Sequence, residues 1–168
     1  SESKSFNHMN IFTISEAAHY CRSFNGTDGL SRDSLKKFLA AQGSSQTLLS
    51  EGSPQFNEFR DCSLREIDRL LFLAAVHFKR SHDLLSDSSC AWAHVTMYYG
   101  TFYTAQALLA MFGAWIDFNW KASVVFYVEN GKPGTQKIMI RKDQQFVSNL
   151  APSHRGSHRK FWDLFYST

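Results

Sequence analysis

From Ser88 to Ile116 the chain carries no Asp, Glu, Lys or Arg. A run of that length has two stable fates: to cross a membrane, which takes about 20 mostly apolar residues, or to lie at the centre of a helical protein, covered by neighbours. Its composition favours the second. His94, Thr96, Thr101, Thr104 and Gln106 recur through it beside Tyr98, Tyr99 and Tyr103, and no basic cluster flanks either end. The expectation is a buried helix ending near Phe112, with Gly113 as its C-terminal cap, and no membrane partner.

The segment before it reads as a second long helix. Ser63-Leu64-Arg65-Glu66 has the form of a capping box, in which the hydroxyl and the carboxylate each satisfy a backbone N–H left free at a helix start. Ile67, Leu70, Leu71, Ala74, Ala75 and Phe78 then make a wide apolar stripe at the 3.6-residue period, and the helix is expected to reach Leu85. Asp87-Ser88-Ser89 supplies a turn and a new N-cap. So short a link makes the two helices antiparallel neighbours, with Gly100 and several Ala allowing close approach. Upstream, Ser15 towards Phe24 and Ser31 to Gln42 read as short helices, the second with Leu35, Phe38 and Leu39 on its apolar face. Gly43-Ser44-Ser45 and Glu51-Gly52-Ser53-Pro54 read as breaks, with a further short helix through Phe56 and Phe59.

Past Gly113 the period changes. Ser123–Val128 is β-branched and aromatic, Gly131-Lys132-Pro133-Gly134 is dense in turn residues, and Lys137–Arg141 alternates polar with apolar. This predicts a β-hairpin, which needs the helices to pack against. Ser157 then opens a last helix with Phe161, Leu164 and Phe165 on its buried side.

Composition excludes several classes. In 168 residues, 43% are apolar and 20% charged, which excludes intrinsic disorder; 9 Gly and 3 Pro exclude collagen-like and low-complexity chains. The length suits one domain, 1–168, with subdivisions at 1–61, 63–113, 122–142 and 157–167. Cys21, Cys62 and Cys90 are odd in number and show no CxxC spacing, so neither a disulfide framework nor a zinc ribbon is expected. Cys90, within the apolar run, is expected to pack as a small hydrophobe. The N-terminus lacks the basic start and apolar stretch of a signal peptide. A cytoplasmic location follows as the expectation.

The net charge of +3 hides an asymmetry. Residues 1–120 hold 10 Lys/Arg and 12 Asp/Glu; residues 121–168 hold 8 and 3. An anionic partner at the basic end is one reading and a solvated surface the other. Within that end lies Ser153-His154-Arg155-Gly156-Ser157-His158-Arg159-Lys160. A helix N-terminus binds anions, Arg recognises phosphate bidentately, and a His titrating near neutrality can exchange protons. His158, His154 and Arg155 are therefore candidate catalytic residues for RNA cleavage, in which the 2′-hydroxyl is the internal nucleophile and no metal is needed. Arg159, Lys160, Lys137, Arg141 and Lys142 are candidate phosphate contacts. The plainer reading is a basic loop followed by a capped helix. His154 and His158 have i,i+4 spacing, but Gly156-Ser157 interrupts regular helix and no other ligand is near, so no metal site is expected. No P-loop, GxGxxG, HExxH or GxSxG occurs, and no cofactor is expected. His94 reads as a hydrogen-bonded core residue. Tyr98, Tyr99, Phe102 and Tyr103 read as core, with a stacking platform as the alternative.

The stretch Ile67–Gly113 resembles the HEPN superfamily of small helical domains from toxin–antitoxin and antiphage systems. The long amphipathic helix, the Ser-rich link and then Tyr98-Tyr99-Gly100-Thr101-Phe102-Tyr103-Thr104-Ala105-Gln106-Ala107-Leu108-Leu109 carry the resemblance. It implies a mainly α fold, an up-and-down HEPN-like bundle of four or five helices, with the hairpin as an insertion before the last helix. It also implies frequent homodimers, and in many members metal-independent ribonuclease activity from an Arg and a His with four to six residues between them, near the start of a late helix. None of the nine arginines here has a His at that distance; the nearest is Arg155-Gly-Ser-His158. Two functions follow as expectations: an RNA-binding or RNA-cleaving effector, and a non-catalytic module that dimerises or binds a protein partner.

Overall fold

A computed structural model describes residues 11–22, 34–42, 46–117, 124–129, 135–142 and 157–166. In chain order the elements are α1 (Ile14–Arg22), α2 (Ser34–Ala41), β1 (Gln46–Ser50), α3 (Pro54–Ser86), α4 (Cys90–Met111), β2 (Trp115–Asp117), β3 (Val124–Val128), β4 (Lys137–Arg141) and α5 (Ser157–Phe165). The fold is mainly helical, with a small antiparallel sheet.

The long helix starts ten residues, nearly three turns, before the expected capping box: its N-cap is Ser53 rather than Ser63. The Ser53 Oγ accepts the Phe56 N–H at 3.1 Å, and Pro54 occupies the first helical position, where no N–H is needed. Phe56, Phe59, Ser63, Ile67, Leu70 and Ala74 then form one unbroken inward stripe. Ser63 is therefore buried in mid-helix and caps nothing; the stripe gives the chain no reason to restart there. The separate short helix expected through Phe56 and Phe59 is the first part of α3. At 33 residues α3 is about 50 Å long.

Helix α4 returns antiparallel to it: Ser81 Oγ donates to the Ala93 carbonyl at 2.8 Å, Phe78 lies over Gly100, and the His77 ring meets Tyr103 at a tilt, 5.3 Å between centroids. Ser89 is the N-cap by position, without a side-chain bond. The other end closes as expected at Gly113. The Gly113 N–H donates to Ala110 O at 3.0 Å and the Ala114 N–H to Leu109 O at 2.9 Å, a Schellman arrangement that needs the positive φ of +75° that glycine supplies. No helix among the described residues is long and apolar enough to cross a membrane.

The expected hairpin is present as β3–β4, with Phe126 opposite Ile140 and Val128 opposite Ile138. It is widened by two strands outside that expectation. β1 pairs with β4 (Leu49 opposite Ile138) and β2 with β3 (Trp115 opposite Phe126), giving the order β1-β4-β3-β2. Residues opposite one another share a face. One face presents Leu49, Ile138, Ile140, Phe126 and Val128 to α1, α2 and the first half of α3, forming the main core with Phe12, Tyr20, Phe38, Phe56 and Phe59. On the opposite face Ile116 joins a second cluster with Phe102, Ala105 and Leu109 of α4 and Phe161 of α5, and Tyr127 packs against it.

Polar groups lock the main core. Gln136 donates its backbone N–H to Glu51 Oε2 and its Nε2 to the Glu16 carbonyl, both at 2.9 Å, and His19 lies 2.7 Å from Glu51 Oε1. Burial, with Glu58 and Asp61 nearby, pushes the Cys62 thiol up to about 11, so it packs as an inert hydrophobe. Cys90 does not: it is exposed, because the first turn of α4 lies beyond the reach of the core.

Candidate functional site at the junction of the long helices and the last helix

Helix α5 lies against the middle of α4 because Phe161 needs cover. It is buried against Phe102, with ring centroids 4.9 Å apart at 73°. Three residues earlier, just short of one turn, this docking sets His158 flat on the same phenylalanine, at 4.4 Å and 5°. The His158 Nδ1 lies 3.0 Å from the Tyr98 hydroxyl, within hydrogen-bond distance. One turn further on, Trp162 donates its Nε1–H to that same hydroxyl at 3.1 Å. Tyr99 meets the His158 ring edge-on at 5.9 Å. His158 is thus held by a stack and a hydrogen bond on a half-exposed ledge at the first turn of a helix. Trp162 continues the aromatic surface outward, stacking at 5.9 Å on Tyr166, which is 79% exposed.

The remaining expected site residues divide. His154 and Arg155 lie outside the described residues. Arg159 is exposed beside His158; Lys160 is on the α5 backbone, with its side chain outside the description. On β4, Lys137 and Arg141 are half-buried and share a sheet face with Tyr127. Burial raises the Tyr127 hydroxyl above its ordinary value, and Arg141 beside it opposes the rise. Lys142 donates its Nζ to the Gln42 carbonyl, which ties β4 to the end of α2. Arg141 and α5 are therefore linked through Tyr127 and the cluster around Phe161, whereas Lys142 points to a different element.

Two expectations on α4 change. His94 is exposed rather than a core residue; its Nδ1 lies 2.7 Å from the carbonyl of Cys90, one turn back. Tyr98 and Tyr99 are more than one-third exposed, while Phe102 is buried, so the aromatic run is half core and half ledge. Among the described residues no group of three or more His, Cys, Asp or Glu could hold a metal ion.

Sequence reasoning missed Tyr98 and Trp162 as partners of His158. Trp162 could have been found by its i,i+4 spacing from His158. Tyr98 could not, because its side of α4 becomes part of the site only when α5 docks there. No family model, no curated protein and no solved structure matches the chain.

Proposed function

We propose that the chain is a HEPN-like effector of a defence or toxin system that binds RNA and cleaves it without a metal. The observation that carries this reading is His158, fixed against Phe102 and Tyr98 at the first turn of α5 with the Arg159 cation exposed next to it. In the proposed reaction the 2′-hydroxyl attacks the neighbouring phosphorus and gives up its proton to one histidine. The 5′-oxygen leaves with a proton from another, so the products are a 2′,3′-cyclic phosphate and a 5′-hydroxyl. His158 and His154 are assigned these proton transfers, Arg155 holds the phosphate, and Arg159, Lys160 and Arg141 steer the strand. The long antiparallel pair α3–α4 followed by a late helix bearing the histidine is what the resemblance asks of the fold.

The test is cleavage of RNA by the purified protein with EDTA present. His158→Ala is expected to lower the rate at least 100-fold, in line with the loss of a general acid or base, while the circular-dichroism spectrum keeps its helical form. Intact RNA at micromolar wild-type protein overturns the reading.

A second reading, a non-catalytic module that dimerises or binds a protein, draws on a different observation. Leu71, Phe72, Phe78, Trp92, Met97 and Leu108 on α3 and α4 are all at least 42% exposed, and exposed apolar surface of this kind marks interaction sites. A sedimenting dimer that Phe72→Asp converts to monomer, in a protein that leaves RNA intact, would select it.

A further inference from the structure

Three groups on two helices form a chain whose hydrogen-bond directions are constrained. The Trp162 indole nitrogen can only donate, so the Tyr98 oxygen must accept at 3.1 Å. That oxygen carries one hydrogen of its own, and the His158 Nδ1 lies 3.0 Å away. If Nδ1 held the ring proton, Tyr98 would have to accept twice and turn its own hydrogen away from its nearest partner. If Tyr98 donates, every group is used once and each bond polarises the next. The stack on Phe102 at 4.4 Å and 5° opposes a ring flip that would put the Cδ2 carbon in place of Nδ1 beside Tyr98.

We infer that Trp162 and Tyr98 are positioning residues that hold neutral His158 in a single tautomer, with Nδ1 accepting from Tyr98 and the ring proton on Nε2. The inference deepens the proposed RNA reading and rests on it only for the chemical consequence. A neutral His158 of this kind presents a donor at Nε2, which assigns it the acid's part: Nε2 gives its proton to the leaving 5′-oxygen while Nδ1 takes the Tyr98 proton, so the negative charge rests on the Tyr98 oxygen that faces the Trp162 N–H, and the proton of the 2′-hydroxyl goes to a different base.

The experiment is long-range ¹⁵N NMR of the histidine rings in the full chain at about pH 8.5, above the ordinary histidine range, with His158→Gln assigning the signals. The expected wild-type result is one set of His158 signals, Nδ1 unprotonated and Nε2 protonated; a protonated Nδ1 overturns the inference. In Tyr98→Phe, which keeps the ring and deletes the hydroxyl, exchange of the Trp162 indole hydrogen is expected to speed up roughly tenfold, the scale of one lost hydrogen bond. Unchanged exchange overturns the inference, and Trp162→Phe, expected to broaden or double the His158 signals, checks the chain from its other end. If the protein cleaves RNA, Tyr98→Phe is expected to lower kcat roughly tenfold with KM unchanged. Intact RNA with the expected NMR pattern overturns the RNA reading and leaves the positioning in place.

Discussion

Helix α3 passes through two environments. From Phe56 to Leu70 it buries Phe56, Phe59, Cys62, Ser63, Leu64, Ile67 and Leu70 against the sheet and the short helices; from Leu71 to Ser86 it buries Ala74 and Ser81, while Phe72 stands 67% exposed. The first half is covered from several directions. Among the described residues the second half is one arm of a helix pair, packed against α4, so its apolar side chains face α4 or are exposed. The difference teaches that an apolar residue in this chain carries opposite meanings at the two ends: fold stability near the sheet, and contact surface along the arm. His158 sits on the α4 side of this arm, because α5 docks at Tyr98 and Phe102, level with His77 and Phe78 of α3.

The comparison breaks most easily with two phenylalanines. Phe59 is fully buried, 4.8 Å from Phe126 and 5.6 Å from Phe38. Phe59→Ala is expected to cost about 3–5 kcal/mol in urea unfolding, whereas Phe72→Ala should stay within about 0.5 kcal/mol for the isolated chain. Equal losses would erase the distinction between the halves.

Two glycines sharpen it at the next level. A Cβ on Gly113 would stand 2.6 Å from the buried Phe12 ring at a positive φ, so Gly113→Ala is expected to cost roughly 1–3 kcal/mol. A Cβ on Gly100 would stand 2.9 Å from the ring of Phe78, but that ring is 42% exposed and free to swing outward. The gain in helix propensity, about 1 kcal/mol, offsets the adjustment, and Gly100→Ala should be close to neutral by thermal melt.

The smallest contrast is electrostatic. Burial would raise the Glu51 carboxyl, but the Gln136 backbone N–H and His19 outweigh it and hold the carboxyl below its ordinary value. A carboxyl lower in the folded than in the unfolded chain contributes stability that is complete above about pH 4.3 and disappears as pH falls through the folded value. Glu51→Gln should therefore flatten the acid limb of the stability curve. Asp83, on the arm, is lowered by a hydrogen bond from Lys79 at the helix surface, where its side chain is 41% exposed. In 1 M salt, where screening acts beyond about 3 Å, Asp83→Asn should leave that limb unchanged.

Much of this was written locally. The antiparallel long helices, the Gly113 stop, the hairpin and the helix opening at Ser157 rest on periodicity, turn residues and caps a few positions apart. Local pattern misplaces the start of α3 because Ser63-Leu64-Arg65-Glu66 has the form of a capping box, and only the continuity of burial through Ser63 shows that the helix is already under way. β1 and β2 escaped for a different reason: Gln46–Ser50 and Trp115–Asp117 are short, and β1 finds its partner across the chain on β4. A charge-free run implies cover on all sides and so reads Cys90 and His94 as core, but among the described residues the arm lacks that cover and both are exposed.

The sequence by itself determined the element types over most of the chain, the absence of charge along α4, and the gathering of basic residues with His158 at the last helix. Tertiary structure alone decided which side of α4 is core, which is bare, and which receives α5. Helical period says that residues share a face but not what covers it. Tyr98 and Trp162 join His158 only because Phe161 is buried against Phe102, a contact between parts of the chain far apart in sequence.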